Sequence, residues 1–238
     1  MHEQLEDNGH LMASRTQRKS KRPPTSKVKD SIAAPARRRS ADETRKLLLS
    51  AARELVAETG FREAQMVEVA ARAGVAIGTV YRYFRAKTDL MTELVAIVSE
   101  REVNVVAGIA MGEGSAKERL SAAIWTFAGR ALAGRRMAYA LVAEPVETEI
   151  ETARLKYRRK LARVFETIIE QGIREGDFVG QNVQAGSACI VGSIFDGLVG
   201  PLAADALTTD TERQEHAAAL VAFCLRGVSG APATFTAP

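Results

Sequence analysis

GFREAQMVEVAARAGVAIGTVYRYFRAKTDL, residues 60–90, decides how this chain folds. Helical spacing predicts two short helices, at 67–73 and 78–84, with Gly74 between them. Three positions set their crossing. Ala70 is small where two backbones must approach closely. Gly74, four residues on, supplies the positive φ that a tight turn asks for. Val80, six further, is apolar where the second helix packs back on the first. From 70 to 87 no residue is acidic, whereas Arg72, Arg82, Arg85 and Lys87 are basic. A surface that meets phosphate excludes carboxylates. Tyr81 and Tyr83 offer hydroxyls to phosphate or base. Lys87 opens the next helix, where its ammonium and the helix N-terminus would attract a phosphate together. The segment 67–87 therefore reads as a helix-turn-helix for double-stranded DNA. The alternative is a solvated basic loop with core aromatics.

Outward from this segment the pattern stays helical. Ser40 and Glu43 have capping-box spacing, and Leu48, Ala51, Ala52, Leu55 and Val56 continue it as a helix over 41–59, stopped by Gly60. A longer helix follows over 87–109. Ser115 and Glu118 open another over 116–133, with a short one over 135–143 before Pro145. The longest uninterrupted pattern runs over 147–175, and an apolar helix over 182–198 ends at Gly200-Pro201. Thr209 and Glu212 start the last, to about 226. No run alternates like a half-buried strand. The expected fold class is all-α, with about nine helices. The expected domains are a disordered basic tail (1–39), the helix-turn-helix domain (40–87), a helical ligand-binding and dimerisation domain (88–230) and a loose tail (231–238).

The stretch also resembles the N-terminal domain of TetR-type regulators. The matching residues are Gly60, Phe61, Val69, Ala70, Ala73, Gly74, Val75, Gly78, Thr79, Tyr81, Tyr83, Phe84, Lys87 and Leu90. The resemblance implies three short N-terminal helices, a long connecting helix, and a larger helical domain that binds a small molecule and dimerises. It places the DNA contacts at Gly78, Thr79, Tyr81, Tyr83 and Lys87. Three positions depart from the pattern. Gln65 stands where Thr or Ser usually caps the second helix and touches phosphate. Ala76 stands where Ser usually caps the recognition helix. Ile77 replaces a commonly polar residue; it can meet a thymine methyl or pack on the protein.

Beyond about residue 110 no motif stands out. The large or polar side chains that could line a ligand pocket are Trp125, Phe127, Met137, Tyr139, Glu144, Phe165 and Asp196, and each can equally serve the core or a helix cap. Arg130 and Arg135 could offset an anionic ligand or simply be exposed. The resemblance pairs the last two helices across a twofold axis, which predicts a dimer interface at Ile190, Ile194, Leu198, Leu220, Val221 and Cys224. A homodimer also suits a palindromic operator read by two recognition helices.

Composition narrows the function classes. Net charge is +4, but residues 1–40 carry +6 of it and the remainder −2. Arg37, Arg38 and Arg39 make the tail either a solubiliser or an arm for DNA. No apolar run is long enough to span a membrane, and the opening residues lack an h-region, so a cytoplasmic protein is expected. Cys189 and Cys224 read as small buried thiols. His2, His10 and His216 form no metal-ligand spacing. No phosphate-binding loop, nucleophile elbow or dinucleotide fingerprint occurs, so no enzyme, metal or cofactor is expected. The expected function is a DNA-binding transcriptional regulator, a repressor released by a small-molecule effector. A ligand-responsive activator, a ligand-dependent repressor, or a helical ligand-binding protein without DNA binding are the alternatives.

Overall fold

A computed structural model of the chain describes residues 40–203 and 205–230. The expected basic tail over 1–39 and the loose end over 231–238 lie outside them. The described residues form eight helices and no strand: α1 (Ala41–Thr59), α2 (Met66–Ala73), α3 (Ile77–Tyr83), α4 (Lys87–Ala110), α5 (Ala116–Val142), α6 (Thr148–Glu175), α7 (Val183–Val199) and α8 (Asp210–Ser229).

Local chemistry explains most of the boundaries. At α1 the Ser40 hydroxyl accepts the Glu43 N–H (3.1 Å), and the Glu43 carboxylate accepts the Ser40 N–H (2.7 Å). Ser115 with Glu118 and Thr209 with Glu212 make the same reciprocal pair at α5 and α8. Each pair satisfies two N–H groups that a helix start otherwise leaves bare. The backbone bonds to Ser115 hold the Glu118 carboxyl below its ordinary pKa. At the end of α2, Gly74 turns left-handed (φ 64°), and the N–H groups of Gly74 and Val75 close back on the carbonyls of Ala71 and Ala70.

One expected boundary takes the form of a kink. The helices anticipated at 116–133 and 135–143 meet as the two arms of α5, separated by the non-helical Arg135 (φ 33°, ψ −99°). Its guanidinium donates to the carbonyls of Ala203, Ala206 and Leu207, at 3.0–3.1 Å. These bonds to the α7–α8 loop offset the cost of a positive φ in a non-glycine residue. The helical pattern therefore breaks at Arg135, where the boundary is expected, and the two arms are numbered together as α5.

The helices enclose two hydrophobic cores. The first joins α1, α2 and α3 to the opening turns of α4, with Leu48, Val56, Val69, Val80, Phe84, Leu90 and Leu94 all buried. Ala140 and Ile150, from the end of α5 and the start of α6, complete it. The second fills the space between α5, α6, α7 and α8 around Leu120, Ile124, Phe165, Ile168 and Ile194, and Val106 and Ala110 of α4 close it. Thus α4 enters both cores as one unbroken helix. Bidentate Arg45–Glu93 binds α1 to α4, Arg130–Glu102 binds α5 to α4, and Lys160–Glu100 binds α6 to α4.

Candidate functional site

The turn between α2 and α3 has the geometry that its sequence requires. Ala70 and Val80 are buried at the crossing, and Gly74 makes the left-handed turn. That packing lifts one face of α3 into solvent. Tyr81 is 51% exposed and Ile77 40% exposed, Gly78 and Arg82 are open, and Thr79 is half-buried. Tyr83 is half-buried, its ring lying 5.4 Å from the Arg82 guanidinium. Arg82 and Arg85 form no ion pair among the described residues and extend the exposed face beyond the contacts named from sequence. Arg72 leaves that face: it is held bidentate by Glu58 of α1 (2.7 and 2.6 Å), which also holds the Glu58 carboxyl below its ordinary pKa.

The departures at the helix starts have visible consequences. Ala76 provides no side-chain cap for α3, although its backbone (φ −67°, ψ 145°) is extended as a capping residue's is. Gln65 turns its amide back to the Arg62 carbonyl (3.2 Å), while its N–H is taken by Glu68 (3.1 Å). The Lys87 ammonium also donates to the Arg62 carbonyl (2.7 Å). Half-burial pushes the Lys87 pKa below that of an ordinary lysine, against the pull of Glu147, Glu63, Glu144 and Glu68. One of its three N–H bonds therefore steadies the α1–α2 loop rather than waiting for phosphate.

That loop is clasped from below. The buried Glu144 carboxylate accepts the N–H groups of Phe61 (3.1 Å) and Arg62 (2.8 Å). Arg136 donates to the Thr59 carbonyl. Gly60 has φ +90°, and a Cβ there would fall on the Arg136 guanidinium and the Glu144 carboxylate. Arg154 donates to the carbonyls of Glu144 (2.9 Å) and Ala140, and its guanidinium lies 5.8 Å from the Phe61 ring centre. The chain just ahead of α2 is thus held by side chains of α5, of α6 and of the connection between them.

A cavity of about 440 Å³ lies between α4, α5 and α6, closed by Phe195 of α7 and reached by Arg53 of α1. Its volume is within the range of small-molecule sites, roughly 300–1,000 Å³. Val98, Val103, Phe127, Met137, Leu161 and Phe195 make it largely apolar. Phe127 and Phe195 pack with ring centres 5.5 Å apart. Arg53, Arg101, Arg130, Arg154 and Arg158 also line it, with Glu102 as the sole carboxylate.

Of the pocket residues expected from sequence, only Phe127 and Met137 reach this cavity. Phe165 is fully buried in the second core. Tyr139 packs at that core's edge under Arg136. Trp125 is 42% exposed on the α5–α8 surface beside Val221. Glu144 is the loop clasp, and Asp196 is exposed. Arg130 is paired with Glu102, and Arg135 holds the α7–α8 loop. The missed residues, Arg154 and Arg158, did leave a signal. They stand in the apolar stripe of α6 that carries Ile150, Leu161 and Phe165, where a leucine is the ordinary choice.

The expected dimer residues also turn inward. Ile190, Ile194, Leu198, Leu220 and Cys224 are all buried in the second core, where Leu220 fills the notch left at Gly197. Val221 is half-buried. Close packing of α7 and α8 uses these side chains within one chain, and the large apolar side chains left exposed on these helices are Phe223 (58%) and Val199 (38%). Burial pushes the Cys224 thiol up to about 11, whereas Cys189 is exposed, against expectation. No metal-holding cluster occurs among the described residues.

An exposed recognition helix on a helix-turn-helix, joined by α4 to a helical body with an apolar cavity, defines a ligand-responsive DNA-binding regulator. Residues 48–94 match the family model for bacterial regulatory proteins of the tetR family, and residues 136–216 match the QacR-like C-terminal region. Among curated relatives, the fatty acid metabolism regulator protein of Bacillus subtilis (strain 168) is 25% identical over 155 residues, 62% of this chain and 77% of that protein. The transcriptional repressor KstR of Rhodococcus jostii (strain RHA1) is 44% identical over 59 residues, 25% of this chain and 28% of KstR. Among solved structures, FadR from Bacillus subtilis in complex with stearoyl-CoA superposes with a TM-score of 0.66 at 21% identity, over 77% of this chain and 98% of that one. The chain belongs to the TetR family of transcriptional regulators, a family of DNA-binding proteins and not of enzymes.

Proposed function

We propose that this regulator represses transcription by binding a palindromic operator as a homodimer, and that a small molecule in the 440 Å³ cavity releases it. Residues 40–87 read DNA, and residues 88–230 bind the effector and dimerise. Gly78, Thr79, Tyr81, Tyr83 and Ile77 on α3 meet the major groove, with Gln65 and Lys87 at the phosphates beside it; Arg82 and Arg85 add two cations. The second copy docks on the outer face of α7 and α8, through Phe223 and Val199. No helix among the described residues is long and apolar enough to cross a membrane, and we place the protein in the cytoplasm, with its operator.

The observation that carries this reading is the shared use of α4. One side of it builds the helix-turn-helix core, and another lines the cavity through Val98 and Val103. A ligand that prefers one placement of α4 changes the separation of the paired recognition helices and shifts the DNA-binding equilibrium by its differential affinity. FadR was crystallised with stearoyl-CoA, and an acyl thioester is the first effector to try in a cavity this apolar.

The test is binding to a palindromic fragment from beside the gene, across a salt series and with stearoyl-CoA added. Affinity is expected to fall steeply with salt, because phosphate contacts release counterions, and to fall again with the thioester. Tighter binding with the thioester would make the protein a ligand-dependent repressor instead. A thioester that leaves operator affinity unchanged would remove acyl-CoA as the effector.

A further inference from the structure

The arginines of the cavity are poorly matched to an apolar ligand. Glu102, the one carboxylate among the lining residues, is already spent on Arg130. Arg154 and Arg158 stand one turn apart on α6, and the Nε of each is buried without a hydrogen-bond partner. Arg154 is 5% exposed. Its remaining nitrogens serve the carbonyls of Ala140 and Glu144 and the outer carboxylate of Glu151 (3.0 Å), and Arg158 reaches the Val142 carbonyl (3.2 Å) over the Phe195 ring. Burial and the neighbouring Arg158 both push the Arg154 pKa below its ordinary value. Two like charges on one cavity wall, each with a buried donor to spare, are stabilised by an anion placed between them.

We propose that the effector is an amphiphile whose single anionic group seats on Arg154 and Arg158, its apolar body lying along Phe127, Leu161 and Phe195. Seating the anion draws the Arg154 guanidinium away from the carbonyls of Ala140 and Glu144. The Ala140 carbonyl lies in the last turn of α5 and that of Glu144 just beyond it, and the Glu144 carboxylate in turn holds the Phe61 and Arg62 N–H groups. Arg154 is thus a positioning residue for the loop ahead of α2 as well as a ligand-binding one, and occupancy reaches α2 and α3 through this clasp as well as through α4. The inference rests on ligand control as proposed above and specifies its chemistry and route.

The experiment uses the full chain, titrated by calorimetry with dodecanoate and with 1-dodecanol, whose tails match. Operator binding is followed by fluorescence anisotropy. Dodecanoate is expected to bind at least about tenfold more tightly, as a charge-assisted contact to two partly buried arginines implies. Arg158→Gln should bring the two affinities close to equal. Dodecanoate should weaken operator binding, and the operator should weaken dodecanoate binding by the same factor. Glu144→Gln keeps the side-chain shape but only one acceptor oxygen. It should retain the preference for dodecanoate while shrinking that coupling factor. Matching thermal unfolding of both variants with the parent guards against a fold defect. Equal affinities in the parent chain, or a preference that survives Arg158→Gln, would overturn the anion site. Full coupling in Glu144→Gln would overturn the clasp route. If dodecanol alone dislodges the operator, ligand control stands and the anion site falls. If neither ligand binds a protein that still holds its operator, both fall and DNA binding stands.

Discussion

Two pairs of arginines in this molecule do opposite work. Arg82 and Arg85, around the end of α3, are exposed and have no ion-pair partner among the described residues. Arg154 and Arg158, on α6, line a cavity and are tied to helix-end carbonyls. The outer pair keeps its hydration until a polyanion arrives, so its contribution is long-ranged and screened by salt over about 8–10 Å at ordinary ionic strength. In the inner pair Arg154 is buried and Arg158 half-buried, so what they gain depends more on close geometry than on the surrounding ions. The same side chain thus serves recognition of an extended phosphate backbone in one place and a compact, positioned contact in the other.

The sharpest way to break this contrast is to remove one member of each pair. Arg154→Ala strands the carbonyls of Ala140 and Glu144 and uncovers the Phe61 ring. Several charge-assisted bonds disappear from a buried site, so unfolding stability should fall by about 2–4 kcal/mol. Chemical denaturation measures this directly, and the loss should be nearly the same at low and high salt. A loss below about 0.5 kcal/mol, typical of surface substitutions, would mean that the clasp contributes nothing to the fold.

The outer pair should behave in reverse. Replacing Arg82 and Arg85 together by Gln should leave unfolding stability within about 0.5 kcal/mol. Operator affinity should drop for all sequences alike, and the slope of log affinity against log salt should shrink by about 2 if both arginines meet phosphates. An unchanged slope would remove them from the interface and return the burden to Tyr81, Thr79 and Lys87.

The contrast also explains what could be read in advance. Capping boxes at Ser40, Ser115 and Thr209 and the turn at Gly74 are local chemistry, settled within four or five residues, and they were legible. The exposed face of α3 follows for the same reason, because α3 is short and its outward side is set by Val80 pointing inward. The cavity was not legible. Its lining comes from five helices, and size alone does not separate Phe127, which reaches it, from Phe165 in the core and Trp125 at the surface. Glu144 looked like a ligand-reading carboxylate, but its partners, Phe61 and Arg62, are some eighty residues away in sequence. An apolar stripe on α7 or α8 records that a helix is covered, not which neighbour covers it. Ile194 and Leu220 are covered by their own chain.

The smallest expected effect sharpens the recognition side. Ala76 precedes α3 with an extended backbone and no capping side chain. A serine there needs no change of φ or ψ to place its hydroxyl near the bare N–H groups of the first turn. Ala76→Ser should therefore stabilise α3 by about 1 kcal/mol, the usual worth of such a cap. The hydroxyl can also donate to a phosphate, so operator affinity should rise by a similar amount or slightly more, while the affinity for an effector in the distant cavity stays as it was. Amide exchange across 77–83 reads the first effect and anisotropy the second. Slower exchange with no gain in affinity would mean that α3 is already fully formed when it meets DNA, and that its missing cap affects only the free protein. A gain in affinity with no change in exchange would instead identify position 76 as a phosphate contact in its own right.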